Sequence, residues 1–176
     1  MWLHLAVTVT SKLSPESSDQ IIEEIFSITS AKAKELTPRS IETLRELVAE
    51  NRLITAFDVD RLIGWAVVER LTKNVSELGM AYVKPEFRRA GVLHKMLDEV
   101  SRRPELLIIA SYSNELIEYG IKNWGAKRVN LWQVALVSRG RFITKRLNAT
   151  TRTTVNQHLS ERKPLFVITD RRKRNG

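Results

Sequence analysis

Apolar residues recur at two spacings along this chain, and each spacing predicts a type of secondary structure. Positions three and four residues apart, as in Ile21, Ile22 and Ile25, indicate helices that bury one face. Ser14 followed by Pro15 is a typical start signal, because serine caps a helix and proline fits its first turn. The pattern predicts helices that begin at Ser14, at Thr37-Pro38 and at Ser113, the last ending at Gly125, and a further helix over residues 90–101.

Runs of β-branched and apolar residues predict strands between these helices. The two runs that flank Asp58-Val59-Asp60-Arg61 form a hairpin, and a third run extends it to a meander. Residues 106–110 are apolar on both faces, as expected of a buried strand that is reached through a crossover helix. The predicted strands are 1–9, 53–57, 62–71, 75–83, 106–110 and 129–137.

Beyond Val137 the periodicity weakens. Residues 139–162 are basic and rich in threonine, whereas 165–169 have strand composition after Pro164. We expect 165–169 to rejoin the sheet beside 129–137. The residues that can line an irregular helical face in the basic part are Phe142, Leu147, Val155 and Leu159.

The composition excludes several classes of chemistry. The chain has 176 residues and no cysteine, so disulfides, thiolate nucleophiles, cysteine-ligated zinc and iron–sulfur clusters are ruled out. Its three histidines stand far apart, and we expect no metal site. The first apolar run lacks a basic leader and is too short to span a membrane. We therefore expect a cytoplasmic protein with no membrane partner.

The positive charge is concentrated at one end of the chain. Residues 1–137 hold 18 basic and 18 acidic residues, whereas 138–176 hold 11 basic and 2 acidic ones. This asymmetry predicts a neutral domain over 1–137 and a basic segment over 138–170 that completes the sheet. A basic tail over 171–176 is expected to be disordered when unbound. The segment 139–176 could bind nucleic acid or an acidic protein, or could simply be a solvated tail.

The stretch from Tyr82 to His94 predicts a strand, a turn and a helix. Pro85 prevents the strand from continuing, and a helical apolar pattern follows it. Arg88 and Gly91 then fall at the start of the helix, where backbone N–H groups lack partners within the helix. Such a turn is suited to binding phosphate groups.

With this order of elements, residues 3–137 resemble the GNAT superfamily of acyl-CoA-dependent N-acyltransferases. The family pattern is Arg or Gln, two residues, Gly, one residue, then Gly or Ala; Arg88 and Gly91 match it, and Leu93 departs from it. The resemblance implies an α/β (α+β) fold, with helices flanking a mixed, mostly antiparallel sheet whose central strand is bulged. Gly79 suits that bulge.

The resemblance also implies acetyl-CoA or another acyl-CoA as co-substrate. The pyrophosphate would lie against the turn, the pantetheine arm against Val83, and the thioester near Asn114. The residues implied in binding are Val83, Arg88, Arg89, Ala90, Gly91, Val92, Leu93 and Asn114.

Two residues are candidates for proton transfer. Glu77 is the only acid on its strand, and family members often use a glutamate there as a base; the alternative is a solvent-facing Glu77 paired with a cation. Where many members carry a tyrosine that protonates the thiolate, this chain has Ile121, and Tyr112 is the candidate in its place. The resemblance thus implies an N-acyltransferase acting on the primary amine of an unknown acceptor. The alternative is a catalytically weak or inactive module of the same fold that binds nucleic acid through its basic C-terminal segment.

Overall fold

The structure, a computed structural model, describes residues 6–33, 36–111, 113–147 and 165–169. The strands in these ranges are β1 (Val7–Thr10), β2 (Leu53–Asp58), β3 (Arg61–Thr72), β4 (Val75–Val83), β5 (Leu106–Ser111), β6 (Lys127–Val129) and β7 (Leu165–Thr169). The helices are α1 (Pro15–Ala31), α2 (Ile41–Ala49), α3 (Val92–Ser101), α4 (Asn114–Trp124), α5 (Leu131–Val137) and α6 (Arg141–Leu147), and a short 3-10 turn spans Pro85–Phe87.

Most helix boundaries follow from capping residues. Ser14 accepts a hydrogen bond from the Ser17 amide and begins α1, as predicted. Ser113 caps α4 in the same way, and Gly125 ends it in a left-handed conformation (φ +62°), which also confirms the prediction. The predicted start of α2 at Thr37-Pro38 is wrong, because the hydroxyl of Ser40 accepts from the Thr43 amide and α2 begins only after it.

The predicted strand over 129–137 is also wrong. The strand β6 ends at Val129, and the helix α5 follows at once. Asn130 and Gln133 form a capping box in which each side chain accepts from the backbone N–H of the other, both at 2.9 Å. This reciprocal pair stabilises the first turn of a helix where the apolar composition alone indicated a strand. In the basic part that follows, residues 141–147 form α6, and the next residues lie outside the described ranges.

The strands form a mixed, mostly antiparallel sheet in the order β1-β2-β3-β4-β5-β7-β6. The exception is the pair β4 and β5, which runs parallel from Val75↔Leu106 to Leu78↔Ile109 and is joined through α3. This confirms the predicted β-α-β unit. Strand β7 lies between β5 and β6, antiparallel to both. The prediction that 165–169 rejoins the sheet is therefore confirmed, with 127–129 as one of its two neighbours.

The described chain divides into two compact units, and β3 and β4 each contribute to both. In the first unit (1–68 and 80–103), α1 and α2 pack against the sheet around Trp65, which is fully buried and lies 4.6 Å from the Tyr82 ring between centroids. Gly64 is required here, because an added Cβ would lie 2.8 Å from the Tyr82 carbonyl oxygen. The first strand begins at Val7, and the predicted residues 1–5 lie outside the described ranges.

The second unit (69–79 and 104–176) has a separate core around Ile108, Val134 and Phe142. Helix α4 packs closely on β5 and β7 because Gly120 has no side chain; an added Cβ would lie 3.4 Å from the Ile109 side chain and 3.6 Å from that of Val167. In the described ranges, no helix is long and apolar enough to cross a bilayer.

Candidate functional site

The turn between β4 and α3 belongs to the first unit and reverses the chain within a few residues. Strand β4 ends at Val83, and Pro85 begins the 3-10 turn, as expected of a residue that cannot continue a central strand. Arg89 (φ +65°) and Gly91 (φ +76°) then take left-handed conformations before α3 begins. Gly91 is thus needed for its backbone conformation, because other residues rarely adopt such a φ.

The first turn of α3 has no side-chain cap. Gly91 is its N-cap residue, and no side-chain hydrogen bond caps this end. A Cβ built on Gly91 meets no described atom within 4 Å beyond its chain neighbours. Val92 is 1% exposed and anchors the helix start in the core. The N-terminus of α3 therefore combines backbone N–H groups, the positive end of the helix dipole and open space, which is the arrangement that anions prefer.

Ion pairs remove some charges from this turn. Arg61 donates to the Glu86 carboxylate at 2.8 Å and lies over the Phe87 ring, 5.0 Å from its centroid. Lys84 is likewise paired, with Glu24 at 2.6 Å. The only acid in the turn is therefore neutralised by a cation from the β2–β3 hairpin.

Arg88 and Arg89 are both exposed. The Nε of Arg88 donates to the Val83 carbonyl at 3.2 Å, which holds its guanidinium near the end of β4. Arg89 makes no ion pair with any described residue. The turn consequently keeps a net positive charge beside the α3 N-terminus.

The residues predicted to bind a cofactor fall into two groups. Most of them lie in this one turn: Ala90 and Gly91 are exposed with the two arginines, Leu93 is half-buried, and Val92 and Val83 are buried. Asn114 belongs to the second unit, where it is the exposed first residue of α4. Tyr112 lies outside the described residues. The departures from the family pattern, Leu93 and Ile121, are both half-buried on their helices.

Glu77 is 2% exposed on β4, so the alternative is wrong about its exposure to solvent, whereas the expected pairing with a cation is confirmed. Its Oε2 accepts from Lys145 Nζ at 3.2 Å and from Arg146 Nη1 at 3.3 Å, and its Oε1 accepts from Arg146 Nη2. Lys145 also pairs with Glu69 on β3. Arg146 stacks on the Phe142 ring at 3.5 Å from its centroid. A buried carboxylate on β4 is thus bound by two cations from α6.

The sequence does not reveal this cluster. Glu77 stands 68 and 69 positions before its two partners, so no local spacing connects them. The two cations were counted in the basic segment expected to meet an anionic partner, whereas here they pair with carboxylates of the chain itself. Gly79 lies next to the same cluster. The atoms nearest to a Cβ added at Gly79 belong to the Glu69 side chain, the closest at 3.0 Å. The bulge expected at Gly79 stays a prediction.

No protein-family model matches the sequence, and neither does any curated protein. Solved structures do match it. They include a Mycobacterium tuberculosis protein, Rv2747, in complex with CoA and NLQ, with 12% identity and a TM-score of 0.62 over 93% of this chain and 98% of that one. A GNAT acetyltransferase from Bacillus cereus matches with 16% identity and a TM-score of 0.57, over 93% of this chain and 96% of its own.

The diaminobutyrate acetyltransferase EctA from Paenibacillus lautus, in complex with its substrate and coenzyme A, matches with 12% identity and a TM-score of 0.54. That match covers 71% of this chain and 80% of the enzyme. Similarity at these identities concerns the fold, and the strand order and the β4-α3-β5 unit agree with it. The chain has the fold of the GNAT acetyltransferases.

Proposed function

We propose that this chain is an acyl-CoA-dependent N-acyltransferase that transfers an acetyl or similar acyl group to a primary amine. The turn between β4 and α3 is the main support. In this turn an uncapped helix N-terminus lies beside two exposed arginines, and Gly91 has no side chain that would keep a phosphate away from the backbone N–H groups. Structural neighbours with coenzyme A bound add to this support.

In this proposal the turn binds the phosphates of the co-substrate. The backbone N–H groups at the start of α3 would hydrogen-bond the pyrophosphate, and Arg88 and Arg89 would supply charge-assisted bonds. Leu93 has no hydrogen-bonding side chain, so its contribution would be limited to its backbone. Val83, at the end of β4, would contact the pantetheine arm.

When bound, the thioester supplies an activated acyl group. The residues of the chain would then need to keep the amine neutral and to protonate the departing thiolate. We assign Glu77 to the first task and Tyr112 to the second, on the resemblance alone. For Glu77 the geometry also supports another role, because its two oxygens already accept from Lys145 and Arg146. That role is to anchor α6 to strand β4.

A thermal-shift titration with acetyl-CoA tests the binding half of the proposal. At a concentration about 100 times the dissociation constant, the ligand should raise the melting temperature by roughly 5–10 °C. Gly91→Asp should remove this shift, because it places a carboxylate where the phosphate would bind. Gly140→Asp is the matched control, since Gly140 has nearly the same backbone angle (φ +77°) and equally open surroundings.

The two variants share the cost of a side chain at positive φ, so they should lose similar stability without ligand. Only Gly91→Asp should lose the response to acetyl-CoA. Equal responses in the two variants, or no response of the unmodified protein at millimolar acetyl-CoA, would contradict the proposal. Binding of nucleic acid by 139–176, the alternative function, stays a prediction.

A further inference from the structure

Helix α5, in the second unit, presents apolar side chains to solvent. Trp132 and Leu136 are each 78% exposed, and Leu131 is 47% exposed. Trp132 and Leu136 are four residues apart, so they lie side by side on the outward face, whereas Val134 faces the core and is fully buried. We call Leu131, Trp132 and Leu136 the α5 patch. Exposed tryptophan and leucine on one helix face are uncommon unless something covers them.

The patch continues into a concave apolar surface. A cleft of about 300 Å³ lies beside Leu131, and Val129, Leu165 and Phe166 are among the residues that line it. The one charged residue of this lining, Arg128, is paired with Glu118. The cleft therefore adds apolar area to the patch and little net charge.

Exposed cations lie on the segments next to α5 in the chain. Lys127, Arg139 and Arg141 are exposed, and none of them makes an ion pair with a described residue. The chain contains no acidic residue between Glu118 and Glu161, so every charged side chain in this interval is positive. Arg139 follows α5 after one residue, and Arg141 begins α6.

We infer that the α5 patch is a docking surface for an anionic lipid bilayer. Tryptophan and leucine on one face of a helix, with arginine beside them, match the boundary between acyl chains and negatively charged headgroups. This contact requires no spanning helix, so it is compatible with the described ranges, in which no helix is long and apolar enough to cross a bilayer.

Two other occupants fit the observations less well. A stable interface between two copies of the chain buries about 800 Å² on each partner, which three side chains do not provide, and the cations around the patch would face each other. Nucleic acid would match the cations and could stack on Trp132, but the two leucines would gain nothing from it. The bilayer is the one partner that uses both the aliphatic and the cationic residues.

Vesicle flotation with the full chain tests this inference. We expect binding to vesicles of phosphatidylcholine with a third phosphatidylglycerol, and much weaker binding to pure phosphatidylcholine. The double variant Trp132→Ser/Leu136→Ser should weaken binding at least tenfold, because it removes most of the inserted apolar area. Arg139→Gln and Arg141→Gln should each weaken it about fivefold. Val59→Ser is the control, since Val59 is 74% exposed but lies in the β2–β3 hairpin.

All five altered residues are exposed, so the variants should melt like the parent and keep its response to acetyl-CoA. The inference is overturned if binding does not depend on phosphatidylglycerol, or if Trp132→Ser/Leu136→Ser binds as tightly as Val59→Ser. It is also overturned if the patch variants leave vesicle binding unchanged but abolish a concentration-dependent dimer. The inference is likewise overturned if the patch variants abolish only the binding of a single-stranded RNA oligonucleotide and leave vesicle binding unchanged.

Discussion

Backbone strain distinguishes three of the described residues, Val59, Arg89 and Arg139. Among the described residues, those other than glycine with positive φ are Asn51, Val59, Arg89 and Arg139. Asparagine tolerates this conformation, but arginine and the β-branched valine do so at a cost of about 1–2 kcal/mol. Arg89 has this cost in the turn that we propose for phosphate binding, and strained residues tend to persist where they serve a function. Val59 is at an exposed hairpin turn with no such role.

This contrast predicts that the same kind of substitution weakens acetyl-CoA binding at Arg89 and leaves it unchanged at Val59. Arg89→Asn and Val59→Asn should each raise stability by roughly 0.5–1 kcal/mol, because asparagine relieves the left-handed strain. Arg89→Asn should also weaken acetyl-CoA binding about tenfold, since it removes a charge-assisted hydrogen bond. Denaturant melts with and without acetyl-CoA give both quantities. If Val59→Asn weakens binding as much, or if Arg89→Asn leaves it unchanged, Arg89 has no role in binding.

Glu42 gives a pH-dependent prediction. A hydrogen bond from its own backbone N–H and one from the Ser40 hydroxyl lower the pKa of this exposed carboxyl in the first turn of α2. A lowered pKa means that the ionised form stabilises the fold above the unfolded pKa, and that this contribution is lost as the pH falls through the folded value. Glu42→Gln should therefore melt below the parent at neutral pH and approach it in acid. A difference that is constant from pH 7 to strongly acidic pH would exclude this role.

At the level of single residues, the sequence predicts positions whose roles are local. Ser14, Ser113 and Gly125 act within a few residues of themselves, and the structure confirms all three boundaries. The strain at Arg89 is not readable in this way, because nothing about arginine signals a left-handed backbone. The role of Gly91 could be predicted in part. The sequence suggested that glycine leaves open space for an anion, and the structure shows that its positive φ is a second reason for glycine at this position.

At the level of elements, the ion pairs between α6 and the strands β3 and β4 are the feature that sequence reasoning missed. Glu77 is almost completely buried, while Lys145 and Arg146 are about a quarter to a third exposed. Arg146→Gln would leave the buried Glu77 carboxylate with Lys145 as its counter-charge, and Glu77→Gln would leave Arg146 without its carboxylate partner. Removing one partner of an ion pair costs about 3–5 kcal/mol when both are fully buried. The partial exposure of the two cations places the expected cost toward the lower end.

Glu77→Gln and Arg146→Gln should each lower stability by about 3 kcal/mol, and the double variant by less than the sum. Thermal or urea melts of the three variants measure this coupling. Asp19→Asn is the control: the Asp19 carboxylate pairs with Arg45 at 3.2 Å, but both side chains are more than half exposed, so the change should stay within about 0.5 kcal/mol.

The variants Glu77→Gln and Arg146→Gln also distinguish the two roles of Glu77, as a catalytic base and as an anchor of α6. If it only anchors α6, Glu77→Gln and Arg146→Gln should reduce acyl transfer to a primary amine alike, in step with their loss of stability. A base would make Glu77→Gln about 10²-fold or more slower than Arg146→Gln under conditions where both are folded. Stability that is unchanged in Glu77→Gln would contradict the anchoring role.

Helix α5 lies where the sequence predicted a strand, and its short length explains the error. Residues 131–137 are mostly apolar and few in number, and in so short a run composition does not separate a strand from a helix. The deciding signal is Asn130 with Gln133, a capping box that fixes the first turn. Where the signal spans longer runs, as in the β4-α3-β5 unit, the prediction was right.

At the level of the whole molecule, the order of the strands changes the view of the basic end of the chain. The excess of positive charge predicted a basic segment after residue 137, and the strand composition of 165–169 predicted that this part rejoins the sheet. Strand β7 confirms the second prediction and lies between β5 and β6, where Val167 is fully buried. Part of the basic segment is therefore internal to the sheet. Composition could not indicate this position, because strand order depends on pairing between residues more than 50 positions apart, such as Leu107 and Thr169.

This placement predicts the outcome of two truncations. A chain that ends after residue 147 lacks β7, so β6 loses its partner and β5 loses its antiparallel neighbour. We expect such a chain to lose more than 4 kcal/mol or to aggregate through the exposed edge of β5. A chain that ends after residue 170 keeps β7 and should melt within about 2 °C of the full chain. Circular dichroism melts and the soluble yield measure both. Equal melting of the two truncated chains would mean that β7 contributes nothing to the sheet, and that the basic segment is an appendage after all.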